Sequence, residues 1–428
     1  MKKTNKIIVN LMLILIFINL IPNFCSTSLP LQSQGAVLID STSGQVLYDK
    51  NMNSKLYPAS TTKIMTAILA IENKKLADTV VINENTPFEI EGTHIALEGG
   101  EILTIEQLLY AALLNSANDA ALSLAKAVSG SEEKFVELMN QKASELGMLN
   151  THFNNPHGLT DEEHYSSAYD LAILAQYALK NETFKKIIKE ITYTIPPTNK
   201  KSESRNLHTT DRLLFAKNNN KYLINVNNQK RYTYYEGAIG IKNGYTSAAK
   251  NCNVAAATRN NTTLISVVLG AEGSSVWSDT HYLLDYGFSN FQSIKIANSN
   301  EYIDQLPVKN GDRPDVASII PNDLFSLINR DELNNIQREI VLSSVLEAPI
   351  SKGTVVGQIL FSLNGKEIAN TPIVAATNVE LVKELSTSSP INFWKVVIVV
   401  VSTLILILLF RGFYLFYDYK KGKKRRGF

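Results

Sequence analysis

Ser60 and Lys63 stand three residues apart in Pro58-Ala59-Ser60-Thr61-Thr62-Lys63, at the head of the apolar run Ile64-Met65-Thr66-Ala67-Ile68-Leu69-Ala70. On a helix this spacing puts both side chains on one face. An amine so placed can take the hydroxyl proton and turn a weak nucleophile into a competent one. The spacing alone is unspecific, because it recurs at Ser123/Lys126, Ser131/Lys134 and Ser247/Lys250. Two further polar clusters stand out. Ser116-Ala117-Asn118 lies in the break Asn115-Ser116-Ala117-Asn118-Asp119 between two apolar helical patterns. Read by itself, such a break is either a helix-helix turn with a capping serine or the lining of a cleft. Lys242-Asn243-Gly244-Tyr245-Thr246 sits in a strand-like series. His157, between Pro156 and Gly158, reads as a loop-fixing residue, since no nearby His or Cys completes a metal ligand set.

The elements that carry these residues follow from the hydrophobic pattern. Gly35-Ala36-Val37-Leu38-Ile39-Asp40 and Gln45-Val46-Leu47-Tyr48 flank turn residues and predict a hairpin that feeds the Ser60 helix. Thr79-Val80-Val81-Ile82 predicts a short strand. Ile105, Leu108, Leu109, Ala112 and Leu113 predict an amphipathic helix capped by Thr104 with Gln107 three residues later. Helices are expected over 120–127, 134–146 and 169–179, with a loop at Phe153-Asn154-Asn155-Pro156-His157-Gly158-Leu159. The segment 180–235 is polar and reads as a surface excursion to which no chemistry is assigned. Strands at 237–246, 254–258 and 264–269, with a turn at Asn260-Asn261, predict an antiparallel meander covered by a helix over 277–286. Beyond Phe291, apolar runs at 293–297, 340–342, 355–363 and 367–375, with the hairpin signal Asn364-Gly365, predict a separate small β domain.

The 428 residues are enough for more than one domain. The formal net charge is +2, and part of the basic excess sits in the last ten residues, so no nucleic-acid partner is expected. Lys2, Lys3 and Lys6, then an apolar run over 7–21 and Ser26-Thr27-Ser28, have the layout of a secretory signal; an uncleaved anchor is the alternative. Cys25 ends that signal, after Asn23-Phe24 rather than the small residues of a lipidation site. Cys252 is then the one thiol of the mature chain and is expected to be a buried apolar residue. Residues 391–410 are apolar apart from Asn392, Lys395, Ser402 and Thr403 and long enough to span a bilayer. The run Lys420-Lys421-Gly422-Lys423-Lys424-Arg425-Arg426 predicts a cytoplasmic C-terminus and an extracytoplasmic body.

Taken in order, Ser60-Thr61-Thr62-Lys63, Ser116-Ala117-Asn118 and Lys242-Asn243-Gly244 resemble the three motifs of penicillin-binding proteins and serine β-lactamases. With Ile64-Met65-Thr66, Asn115 through Ala121, Asn155-Pro156-His157-Gly158-Leu159 and Tyr169-Asp170-Leu171-Ala172, the chain is similar to the low-molecular-mass D-alanyl-D-alanine carboxypeptidases, the S11-like peptidases. The resemblance implies an α/β (α+β) domain, an antiparallel sheet flanked by helices plus a helical subdomain. A small all-β domain and a transmembrane helix follow it. The expected layout is a signal at 1–28, a catalytic domain at 29–292, a β domain at 293–385, a linker at 386–390, a span at 391–412 and a basic tail at 413–428.

By the same resemblance, Ser60 is the nucleophile, Lys63 its general base and Ser116 the proton relay. Asn118, Lys242, Asn243, Gly244, Tyr245 and Thr246 bind substrate. The backbone amides of Ser60 and Tyr245 form an oxyanion hole, and Gly244 lets the substrate backbone approach. The implied partners are the D-Ala-D-Ala stem peptide of peptidoglycan, β-lactam antibiotics and the membrane; no metal or organic cofactor is implied. Three positions depart from the pattern. Asn243 replaces a threonine whose hydroxyl helps hold the substrate carboxylate, Val276-Trp277 stands where relatives often place an arginine, and Lys250 where glycine is common. These departures keep a catalytically impaired wall-binding protein open as an alternative. A class A β-lactamase is a further one, but Glu162 and Glu163 lack the Glu-x-x-x-Asn pattern that its deacylation needs.

Overall fold

The computed structural model of the protein describes residues 28–382 and 392–423. The signal-like segment 1–27 with Cys25, the linker 386–390 and the basic residues 424–426 lie outside the described residues. By packing, the described residues divide into a first unit, Met1–Ala297 with Asp323–Glu339 and Leu360–Asn370, and a second, Asn298–Asn322 with Ile340–Ile359 and Thr371–Phe428.

In the first unit, β1 (Gly35–Asp40) and β2 (Val46–Lys50) form the expected hairpin. A 3₁₀ turn over Ala59–Thr62 runs straight into α1 (Lys63–Asn73). Helix α1 is buried from Lys63 to Ala70, which explains why its sequence is apolar all round rather than striped. After β3 (Thr79–Val81) and β4 (Ile102–Thr104) comes α2 (Ile105–Leu113). Its start carries the expected capping box: Gln107 N donates to Thr104 Oγ1 and Thr104 N to Gln107 Oε1. Helices α3 (Asn118–Ser129), α4 (Glu132–Glu145), α5 (Ala168–Ala178) and α6 (Glu182–Lys189) follow. Gly130, at φ +83°, ends α3, and Ser131, Ser167 and Asn181 cap the next three.

The polar excursion is not shapeless. It forms the hairpins β5 (Thr192–Ile195) with β6 (Arg205–His208) and β7 (Leu223–Val226) with β8 (Gln229–Tyr232), with one helical turn, Arg212–Phe215, between them. Strands β9 (Ala238–Thr246), β10 (Lys250–Arg259) and β11 (Thr262–Ala271) then complete an antiparallel sheet of order β2-β1-β11-β10-β9. Both Asn260 and Asn261 take positive φ in the β10–β11 turn, as a two-residue hairpin loop requires. Helix α7 (Ser275–Asn290) closes one face.

Alternation along the strands splits the core. Val37, Ile39, Val254, Ala256, Ile265 and Val267 pack with the helices between 63 and 189. Ala36, Leu38, Ala255, Ala257, Leu264 and Val268 pack with Trp277, Leu283 and Leu284 of α7. A sheet covered on both sides reads as near-continuous apolar sequence, which is what β1 and β11 show. Strand β9 is the free edge of this sheet, and the 3₁₀ turn lies against it.

The chain from β12 (Phe291–Ala297) to Ala375 is built of strands. They are β13 (Tyr302–Lys309), β14 (Asp315–Ile319), β15 (Leu324–Asn329), β16 (Ile336–Leu342), β17 (Leu346–Glu347), β18 (Val355–Leu363) and β19 (Lys366–Ala375). In the first unit β12 pairs with β15; in the second β13 pairs with β14 and β17, and β14 with β19. The sequence pattern had picked out β12, β16, β18 and β19 but not β13 to β15. Helix α8 (Phe393–Lys423) contains a 29-residue segment, Phe393–Lys421, with an 18-residue stretch of mean hydropathy 2.7, long and apolar enough to cross a membrane. It continues past 412, so Lys420, Lys421 and Lys423 are helical.

Candidate active site

The site is assembled around a strained backbone. Ala59 has φ +49°, a left-handed conformation that costs a residue with a Cβ about 1 kcal/mol or more, and it immediately precedes Ser60. Two glycines make room for the turn it creates. A Cβ on Gly158 would lie 1.9 Å from the Ala59 carbonyl oxygen, and one on Gly244 would lie 2.5 Å from Ser60 N. The close approach that Gly244 permits is therefore to the backbone of Ser60 itself. Sequence reasoning had assigned that approach to a substrate, and it placed Gly158 in a loop motif without giving it a role.

Lys63 is completely buried at the start of α1 and has three acceptors around its ammonium. Nζ donates to Ser60 Oγ at 3.0 Å, to Asn118 Oδ1 at 2.7 Å and to the His157 carbonyl at 2.7 Å. Burial, and then the neighbouring charge of Lys242, hold its pKa well below the usual lysine value, against a weaker pull from Asp119. The two shortest bonds end on carbonyl oxygens that can only accept. Ser60 Oγ can donate as well as accept, so loss of one proton from Nζ leaves its lone pair facing that hydroxyl.

Ser116 lies at the corner between α2 and α3 with φ +62°, so the polar break is a helix-helix turn. Asn118, two residues on, reaches Lys63 with Oδ1 and donates through Nδ2 to the Glu91 carbonyl at 2.6 Å. One N–H of that amide is left for another acceptor. Asp119 fixes the same loop by accepting from Ile95 N and Leu97 N.

Strand β9 supplies the opposite wall. Lys242 is buried, donates to the Asn243 carbonyl at 2.7 Å, and burial lowers its pKa to about 7, opposed by Asp211. Asn243 is half-buried and its Oδ1 accepts from Thr210 Oγ1 at 2.8 Å. Tyr245 is 62 % exposed, and Thr246 Oγ1 meets Thr160 Oγ1 at 2.8 Å. Thus Ser60, Lys63 and Asn118 are joined directly, while Lys242, Asn243, Gly244, Tyr245 and Thr246 line the adjoining edge.

The other departures have visible consequences. Lys250 adopts φ +56°, the conformation that favours glycine, and pairs with Glu272 at 3.4 Å. Val276 and Trp277 are both buried; Arg212 stacks 5.8 Å from the Trp277 ring and 5.3 Å from that of Tyr222.

Sequence reasoning gave five residues no part in the site. His157 holds Lys63 through its carbonyl, and Asn155 Oδ1 accepts from the amides of His157 and Gly158 to shape that loop. His164 Nε2 meets Thr62 Oγ1 at 2.8 Å while Asn154 N donates to Nδ1. Thr210 and the buried Asp211 come from the excursion to which no chemistry had been assigned. The density of turn residues in Asn155-Pro156-His157-Gly158 was a usable signal; nothing local marked Thr210.

Comparison with known proteins agrees with this geometry. Residues 23–273 match the family model described as D-alanyl-D-alanine carboxypeptidase, and residues 291–381 match the penicillin-binding protein 5, C-terminal domain. The chain is 35% identical over 352 residues to D-alanyl-D-alanine carboxypeptidase DacF of Bacillus subtilis, covering 80% of this chain and 85% of the relative. It is 33% identical over 366 residues to D-alanyl-D-alanine carboxypeptidase DacC of Escherichia coli, covering 80% of this chain and 83% of the relative. The crystal structure of penicillin-binding protein 5 from Haemophilus influenzae superposes with a TM-score of 0.67 at 30% identity, covering 82% of this chain and 99% of that one.

Proposed function

The chain belongs to the D-alanyl-D-alanine carboxypeptidase family, and from that premise we propose that it is a serine-type carboxypeptidase acting through an acyl-enzyme on Ser60. One observation carries the assignment: a fully buried lysine with a depressed pKa lies 3.0 Å from the hydroxyl of a serine held on a strained turn.

The proposed sequence of steps uses only side chains already described. Neutral Lys63 takes the Ser60 proton as Oγ attacks the carbonyl of the penultimate D-Ala. The amides of Ser60 and Tyr245 stabilise the oxyanion, and two such positioned donors are worth several kcal/mol in a site shielded from water. Ser116 relays that proton from Lys63 to the departing D-Ala nitrogen as the amide bond breaks, which leaves Lys63 neutral again. Asn118 binds the acyl amide, and Lys242, Asn243 and Thr246 face the terminal carboxylate. Water then attacks the ester with Lys63 again as base, releasing the shortened peptide. A β-lactam acylates Ser60 by the same route.

The substrate is the D-Ala-D-Ala end of the peptidoglycan stem peptide. The proposed setting is a membrane anchored through α8, with the catalytic domain outside and the basic end of the chain in the cytoplasm. D-Alanine release from a pentapeptide by wild type and Ser60→Ala tests the assignment. Release by wild type that vanishes in the variant is expected. Equal release by both, or none by wild type, contradicts it; the latter is the result for an impaired wall-binding protein.

A further inference from the structure

Thr210 joins the two walls of the site from outside the three motifs. Its backbone N donates to the carbonyl of Leu114, just before the Asn115-Ser116 corner, at 3.1 Å. Its hydroxyl lies 2.8 Å from Asn243 Oδ1 and 3.4 Å from the Leu114 carbonyl, so its single proton goes to Asn243. The next residue is held in turn: Asp211 Oδ1 accepts from Leu213 N at 2.9 Å and caps the helical turn Arg212–Phe215.

A carboxypeptidase substrate ends in a carboxylate one Cα beyond the scissile nitrogen. With its carbonyl at Ser60 Oγ, the substrate lies beside Gly244, whose Cα packs against Ser60 N. Asn243 is one strand step along that edge, roughly 3.3 Å away. An amide presents two opposite corners, an oxygen that repels a carboxylate and an NH₂ that binds it. The hydrogen bond from Thr210 pins the oxygen and leaves the NH₂ as the corner free for substrate.

We propose that Thr210 is the positioning residue that aims the Asn243 amide at the substrate's terminal carboxylate. It thereby supplies the recognition for which Asn243 lacks a hydroxyl. The inference rests on the carboxypeptidase reading given above, and it makes Thr210 a determinant of specificity for a free C-terminus, not a participant in bond cleavage.

The test compares wild type, Thr210→Val and Thr210→Ser on two peptides, one ending in D-Ala-D-Ala with a free carboxylate and one ending in D-alaninamide. Loss of one directing hydrogen bond is expected to raise KM for the free acid about fivefold in Thr210→Val. The kcat should stay within about twofold and the amide-ended peptide should be unaffected, because uniform binding alone is lost. Thr210→Ser keeps the donor and should behave as wild type. Should Thr210→Val misfold, Thr210→Ala removes the same hydroxyl without added bulk. In an Asn243→Thr background, removing the Thr210 hydroxyl should leave the acid-to-amide preference unchanged. Equal damage to both peptides, a fall in kcat at constant KM, failure of the Ser variant to rescue, or a persisting effect in the Asn243→Thr background overturns the inference. Wild type that cleaves neither peptide contradicts the carboxypeptidase reading and takes the inference with it; wild type that cleaves the acid while Thr210→Val is unchanged contradicts the inference alone.

Discussion

At the scale of residues, two buried lysines divide the work by environment. Burial, and then the charge of Lys242, hold Lys63 well below the usual lysine value, so it loses its proton readily; Lys242 is held at about 7 by burial, with Asp211 pulling upward. As pH rises, deprotonation of Lys63 supplies the base, and loss of the Lys242 proton through about 7 removes the cation beside the carboxylate site. The kcat/KM profile for a free-acid peptide is therefore expected to be bell-shaped, and Asp211→Asn, which removes the upward pull on Lys242, should move the alkaline limb to lower pH. An unmoved limb in the variant contradicts that role for Asp211.

His164 gives the complementary stability prediction. Burial lowers its pKa from 6.5 to about 4, so the unfolded chain binds the proton more tightly than the folded one. Stability is full above about 6.5 and is lost as pH falls toward 4, by roughly 3 kcal/mol from this group. Urea unfolding midpoints at several pH values, with wild type and His164→Gln, measure the slope; an equal slope in both contradicts it.

At the scale of elements, the site depends on backbone contacts that a side-chain inventory does not reveal. Gly158, at φ +87°, has the Ala59 carbonyl where a Cβ would go, so Gly158→Ala must displace the 3₁₀ turn. A shift of about 1 Å at a nucleophile costs on the order of a hundredfold in rate, which stopped-flow acylation by a chromogenic β-lactam would register. Away from the site, fully buried Glu101 accepts two hydrogen bonds from Arg205 of β6, at 2.8 and 2.9 Å, and one from Thr198. Arg205→Ala strands that carboxylate and should destabilise the protein by about 3 kcal/mol, read as a fall in the thermal midpoint.

These elements also show why some features were readable in advance. The Thr104/Gln107 cap, the Asn260-Asn261 turn and the apolar runs of β10 and β11 are local rules, each contained in a few consecutive residues. Ser60, Lys63 and Asn118 followed from motif order. Thr210 did not, because its partner Asn243 is 33 residues away and its own neighbourhood is polar like any surface loop. Strands β13 to β15 were missed for a related reason: β13 is mostly exposed and contains Pro307, β14 and β15 are short, and their pairing is set by tertiary contact.

At the scale of the whole molecule, the described chain carries a catalytic fold of the family, an all-β segment and an apolar helix. Among the described residues, the apolar side chains of α8 are almost all exposed. A chain ended after residue 382 is expected to move from the membrane fraction to the aqueous phase while keeping its penicillin labelling. Retention in the membrane fraction would contradict anchoring through α8. The central claim, that Ser60 is the acylated nucleophile, is tested most directly by mass spectrometry of the full chain after exposure to a β-lactam. The account predicts one adduct per chain, mapped to the peptide containing Ser60 and absent from Ser60→Ala; an adduct that persists in that variant, or maps to another residue, contradicts it.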